Sequence, residues 1–290
     1  MSTAKDNLTT LEQPERLYYA PGVFLDAEDL LAEQTYHRGR LARVLDYLHG
    51  HGTVAGLKVV APGEDDELHV LPGVAIDRLG RLVEVPRAAC VNLGKWLLYH
   101  QQALQNPDAQ EGEGRLLTSL NAARTELVAD VFLRFEVCER GRTPAFATGP
   151  FDAVDASVPS RLRDGYNLSM VLRGGDSAGL PANTLPNRTE EEDFDAFSSR
   201  MEDYVLNAWH HGSANFRDGV LEHDASTLGT DDPSSIFLAR VRIPVTVDAD
   251  GIPQRAPGTV EVDNHSRSFV YSSAAVFAWL RALGRPSRLS

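Results

Sequence analysis

Residues 26–60, DAEDLLAEQTYHRGRLARVLDYLHGHGTVAGLKVV, change their hydrophobic period partway along, and that change decides the fold class. Leu30, Gln34, His37, Leu41, Val44, Leu45 and Leu48 follow the three-and-four spacing of one helix face. Asp26 stands just before this run with Asp29 three residues on, a pairing that predicts a capping box. Gly50 and Gly52 accept positive φ without strain and predict the helix stop. From residue 53 to 60 the pattern shifts to a period of two, which predicts a strand. Because the helical seam mixes Gln34 and His37 with leucines, it suits an interface helix more than one buried in a core.

Working outward, residues 67–71 and 81–85 read as further strands, and residues 75–83 as a hairpin turning at Gly80. A second helix is predicted over 93–105, and the Pro-, Gly- and acid-containing stretch 106–114 reads as a surface loop. Residues 127–137 form the clearest strand: Ala129, Val131, Leu133, Phe135 and Val137 share one face, while Asp130, Arg134 and Glu136 share the other with Phe132. A loop is expected from there to Pro159, followed by a strand over 166–172. Thr189 with Glu192 predicts a capped amphipathic helix ending at Gly212. Alternation returns at 236–247, 259–262 and 268–271, before a short helix over 273–283. The sum is an α+β protein, a β-rich antiparallel body led by an N-terminal amphipathic helix, with three or four helices in all. The expected divisions are a flexible polar tail over 1–16, the helix plus a β-subdomain over 17–110, and a second β-rich subdomain over 111–290. A variable helical insertion is expected at about 174–232.

Composition narrows the partners. The chain has 290 residues, 42% of them hydrophobic, and carries 41 acids against 28 bases, a net charge of -13. Such a balance gives no basic stripe for phosphates, so nucleic acid is not expected as a partner. Apolar runs are interrupted by charge well short of a membrane span, so no membrane insertion is expected. The first residues, MSTAKDNLTTLEQPE, lack an apolar signal core, which points to synthesis in the cytoplasm without a signal peptide. Cys90 and Cys138 lie in strand-like apolar surroundings and read as buried free thiols.

Catalytic and metal signatures are weak. His37, His49 and His51, with Glu33 one turn before His37, form the densest histidine group, but their spacing is not that of a zinc motif. Histidines at a helix end more often cap carbonyls, and the same holds for His210 and His211. The segment Asp248-Ala249-Asp250-Gly251 is closer to a hairpin turn than to a calcium loop. Trp96, Trp209 and Trp279 fall on apolar helix faces and read as packing residues. No nucleophile elbow or phosphate-binding loop is present. Neither a cofactor nor an enzymatic activity is expected.

The block at residues 19–59 carries a G-x-x-L-x-x-x-D-x-x-x-E-Q-x-Y-H stretch, met by Gly22, Leu25, Asp29, Glu33, Gln34, Tyr36 and His37. It continues as L-H-G-x-G-x-V-x-G-L-x-V through Leu48, His49, Gly50, Gly52, Val54, Gly56, Leu57 and Val59. Similar patches occur at 71–77 with Gly80 and Arg81, at 132–139, at 160–168, and at 262–264 with Arg267. In these patches the chain resembles a family of proteins from phage-tail-like gene clusters, including contractile injection systems. The resemblance does not extend over 174–232.

What the resemblance implies is a non-enzymatic structural component at the baseplate of a contractile particle or at its periphery. Its partners would be other subunits, with the chain present in several copies of a symmetric assembly, in a cytoplasmic or released particle. The residues implied in assembly are Asp26, Leu30, Gln34, Tyr36, His37, Leu41, Leu48, His49, Gly50, Gly52 and Gly56. On this reading Leu30, Tyr36, Leu41 and Leu48 pack on the β-subdomain, His37 and His49 are satisfied polar groups, and the glycines turn the helix into the first strand. The rival readings are a fibre- or adhesin-like surface-binding module and a hydrolase whose two carboxylates are unrecognised.

Overall fold

The computed structural model describes residues 3, 4, 6, 8, 15–63, 66–104, 120, 121, 123–144, 157–174, 180, 189, 191–207, 234–249 and 251–283. Its elements run β1 (Thr3–Ala4), α1 (Ala27–His49), β2 (Gly52–Gly56), β3 (Val59–Val60), β4 (Glu67–Val70), β5 (Gly73–Ile76), β6 (Leu82–Val85), β7 (Ala89–Asn92) and α2 (Leu93–Leu104). They continue with β8 (Glu126–Pro144), β9 (Ser157–Leu172), α3 (Phe194–Asn207), β10 (Ile236–Val247), β11 (Pro253–Arg255), β12 (Glu261–Asp263) and α4 (Ser273–Leu283). The protein is α+β and β-rich, and the paired strands are antiparallel.

β8 is the spine. It pairs with β10 along its first half, with β9 along nearly its whole length, and with β1 at Val137 and Cys138. Two small three-stranded sheets, β2-β5-β6 and β3-β4-β7, supply the opposing layer. Leu127, Ala129, Val131, Leu133, Phe135 and Val137 of β8 join Leu57, Val59, Leu68, Val70, Val83 and Val85 in one apolar cluster. Burial of each such side chain contributes about 1.5–3 kcal/mol, which is why the period-two pattern fixes which strand face turns inward. On the other face of β8, the fully buried Asp130 binds two arginines: Arg173 Nε donates at 2.7 Å and Arg240 Nε at 2.8 Å. Phe132 packs beside Phe237 on that face, with ring centroids 5.8 Å apart.

Several expectations are corrected. The strand expected over 53–60 breaks in two, because Gly56 (φ 67°) and Leu57 (φ 55°) take left-handed backbone and carry the chain from one small sheet to the other. Beyond Val137 the expected loop is strand: β8 runs on to Pro144 and β9 starts at Ser157, with Arg140 opposite Arg161 and Arg142 opposite Pro159. Alternation fails there because this part of the hairpin has no core to face. Residues 268–271 form a single parallel bridge, Phe269 with Thr53, rather than a strand.

α3 starts later than expected. Glu192 Oε2 accepts from Thr189 N at 3.4 Å, the carboxylate half of the expected box, and also pairs with Arg200 at 2.6 Å, but the helix begins only at Phe194, where Asp193 accepts from Ala196 N at 2.7 Å. Its expected end at Gly212, together with Trp209 and the histidine pair, lies outside the described residues. Cys90 is exposed and Cys138 half-buried, so neither is a core thiol. Trp96 packs as expected, its indole donating to Met170 O at 3.2 Å, but Trp279 is exposed. Within the expected tail, Thr3 and Ala4 pair with β8 and Asp6 is buried. The division expected near residue 110 lies outside the described residues.

Candidate interaction surface

α1 is locally self-sufficient. Asp26 Oδ1 accepts from Glu28 N at 2.8 Å and from Asp29 N at 3.0 Å, and Asp29 Oδ2 accepts from Asp26 N at 3.1 Å, which completes the capping box. At the other end Gly50 (φ 70°) donates its N–H to Asp46 O at 2.8 Å. Glu28 and Asp29 in the first turn and His49 in the last complement the helix dipole.

The side of α1 that meets the body is not the leucine seam. Ala42 is its one buried residue, and it lies against the Gly80 turn of the β5–β6 hairpin. A Cβ on Gly80, where φ is 75°, would sit 2.6 Å from the Ala42 carbonyl carbon, so the contact is backbone to backbone. Arg38, on the same side, reaches Asp6 Oδ1 at 3.2 Å.

Asp6 belongs to a buried network centred on Arg81. That guanidinium donates to Asp77 Oδ2 at 2.7 Å, to Asp6 Oδ2 at 3.0 Å and to Ser234 Oγ at 2.9 Å, and lies 4.6 Å from the Phe135 ring centroid. Burial pulls the Arg81 pKa down, but the Asp77 and Asp6 carboxylates more than offset this and leave it raised. Asp77 also accepts from the Leu79 and Arg81 backbone N–H groups, both at 2.9 Å. Its oxygens are fully engaged in holding the turn that receives α1.

After Gly50 the chain is clamped by the late segment. Thr53 N donates to Ser268 O at 3.0 Å, and a Cβ on Gly52 (φ 136°) would lie 2.5 Å from that same oxygen. Asn264 acts as a strand partner for Val59, accepting from its N–H and donating to its C=O, both at 2.8 Å. Arg267 donates to Leu57 O at 2.7 Å and to Asn264 O at 2.9 Å, and burial brings its pKa down to about 10. His51, just before the first of these contacts in sequence, is also desolvated. Burial takes its pKa down to about 4, with Arg78 lowering it further and Asp46 acting the other way.

With α1 docked on Ala42, the predicted seam faces outward. Leu30, Leu41 and Leu48 are 51%, 56% and 73% exposed, and Gln34, His37, Val44 and His49 are exposed beside them. The expectation that these leucines pack on the β-subdomain is therefore corrected: Gly80 admits only the small-residue side of the helix. Tyr36 is half-buried, with Arg40 5.3 Å from its ring centroid, and His37 lies 3.8 Å from Glu33. Just upstream, Tyr18, Tyr19, Val23, Phe24 and Leu25 are exposed, and the Tyr19 hydroxyl donates to Glu33. A second apolar surface lies on α4, where Val276, Phe277, Trp279 and Leu280 are exposed and Tyr271 stands 4.6 Å from Trp279, centroid to centroid.

Gly80 was legible as the turn of the 75–83 hairpin, but the anchoring residues Asp6, Arg38, Ala42, Asp77, Arg81, Asn264 and Arg267 were not singled out for a role by pattern. The one usable signal was an acid and a base four apart across a turn glycine, at Asp77, Gly80 and Arg81. Among the described residues no group of three or more His, Cys, Asp or Glu side chains is placed to hold a metal ion, and no helix is long and apolar enough to cross a membrane.

No family model and no curated protein matches the sequence. Among solved structures, the chain is similar to one in the type VI secretion system TssK-TssF-TssG baseplate subcomplex, with 12% identity and a TM-score of 0.32, covering 83% of this chain and 60% of that one. It is also similar to one in the baseplate complex from the type VI secretion system, with 10% identity and a TM-score of 0.35, covering 96% of this chain and 72% of that one. Both likenesses are coarse.

Proposed function

We propose that the chain is a non-enzymatic structural subunit of a phage-tail-like contractile particle, at the baseplate or its periphery, with α1 as an attachment face. The observation that carries this reading is the outward seam of α1, in which Leu30, Leu41, Val44 and Leu48 are exposed on a capped, body-anchored helix. That helix lies in residues 19–59, the block that resembles proteins of contractile-particle gene clusters. Neighbouring subunits supply the covering that the chain's own core does not. A rigid helix with an uncovered apolar stripe is a poor feature for a free monomer and a good one for a subunit, since burial of each leucine contributes about 1.5–3 kcal/mol to association. In this role His37 and Gln34 give the face its polar specificity, and the turn at Gly50 and Gly52 fixes its angle to the strands.

The test is co-sedimentation of the chain with sheath-and-tube particles. Wild type should pellet in a fixed copy number per particle, and Leu41→Glu with Leu48→Glu should leave the chain folded in the supernatant. Absence of the wild-type chain from purified particles would sink the reading.

One observation favours a fibre- or adhesin-like binding module instead: the exposed rings of Phe269, Tyr271, Phe277 and Trp279 at the α4 end. That reading requires saturable binding of the isolated chain to cells, lost on Tyr271→Ala with Trp279→Ala.

A further inference from the structure

The outer part of the β8–β9 hairpin continues past the core as an arm, flanked by β1 at Val137 and Cys138 and two-stranded among the described residues from Glu139 outward, whose two faces carry opposite chemistry. On one face Arg140 stands directly across from Arg161, Arg163 stands across from Cys138, and Arg142 follows across from Pro159. Like charges directly opposite one another destabilise a strand pair, and Cβ atoms so placed are about 4.5–5.5 Å apart. Arg140, Arg161 and Arg163 are exposed, and none of them is in an ion pair among the described residues. The opposite face continues the core-facing row past Val137: Asp164 stands across from Val137, Glu139 across from Leu162, and Thr143 across from Val158. Leu162 and Val158 are exposed there beside the two carboxylates.

We propose that copies of this chain contact one another through this arm, the arginine face of one lying on the carboxylate and apolar face of the next. Charge complementarity selects the occupant. The chain as a whole carries -13, so the arginine cluster is a local reversal of sign, and the matching surface is built into the back of the same arm. The contact is between faces and not edges, because Pro159 lacks an N–H and the charged residues of β9 oppose strand addition. Since the two faces differ, the contact is heterologous, and repeated use closes a ring or extends a filament. The inference stands on the arm alone and is independent of the contractile-particle reading.

Sedimentation velocity of the purified full chain, over a concentration series at low and high salt, tests it. Wild type should self-associate at high micromolar concentration, less so as salt is raised. Arg140→Glu with Arg161→Glu makes both faces acidic, and Glu139→Arg with Asp164→Arg makes both basic. Each double variant alone should associate about a hundredfold more weakly, while an equimolar mixture should recover to within about tenfold of wild type. Circular dichroism and thermal unfolding of each variant should match wild type, since Arg140, Arg161 and Asp164 are exposed and Glu139 is half-buried. A monomeric wild type, variants that associate as wild type does, or a mixture without recovery would overturn the proposal. So would an arm that binds a DNA duplex with no self-association.

Discussion

Gly80 and Ala42 meet backbone to backbone, a hairpin turn pressed against the middle of α1 with no side chain between them. Two constraints coincide at Gly80: its φ of 75° and the absence of room for a Cβ. Gly80→Ala should therefore lower stability by about 2–4 kcal/mol, read by urea unfolding, and should increase protease cleavage within α1. Ala42→Gly, which only weakens helix propensity, should cost about 1 kcal/mol.

The Asn264 side chain substitutes for a backbone partner of Val59, whose side chain is almost fully buried. Asn264→Ala strands both a donor and an acceptor, and should destabilise by about 2–4 kcal/mol. In hydrogen exchange, the Val59 amide should lose protection in this variant while those of the β8–β10 pairing keep theirs.

His51 makes stability fall in acid. Its folded pKa of about 4 lies below the unfolded 6.5, so between these values the unfolded chain holds a proton that the folded chain does not. The contribution is full above pH 6.5 and is lost as pH falls through about 4. The loss is at most about 3 kcal/mol. Denaturant unfolding across that window should show a shallower acid limb for His51→Gln than for wild type.

The outward seam of α1 contributes little to the isolated fold. Leu41→Glu and Leu48→Glu should each change unfolding free energy by no more than about 0.5 kcal/mol. Both should raise solubility, since each removes exposed apolar surface from a continuous stripe.

Strand identities followed from period where one face is buried, as in 127–137 and 236–247, and α1 was legible from its period even though its apolar seam is exposed. Even the caps Asp26 and Gly50 were legible, because capping is a local matter. The side of α1 that docks was not. Ala42 and Gly80 are small residues whose meaning depends on a close approach between segments far apart in sequence, whereas the leucines that dominate the pattern lie on the free side. The arm was missed for a related reason: without a core there is no alternation to read, and pairing between Arg140 and Arg161 is set by register extending from the buried half of the hairpin. Arg81, Asn264 and Arg267 fell within the resembling patches, yet their partners Asp6, Ser234, Val59 and Leu57 are visible only in three dimensions.

The clamp between Val59 and Asn264 joins residues 205 positions apart. On a ribosome adding about 5–20 residues per second, the second half of the clamp emerges about 10–40 s after the first. During that interval the Val59 strand presents an open edge, the kind of surface that recruits a wrong partner. The small sheets, though built almost entirely from the first hundred residues, are among the last parts of the molecule to be completed.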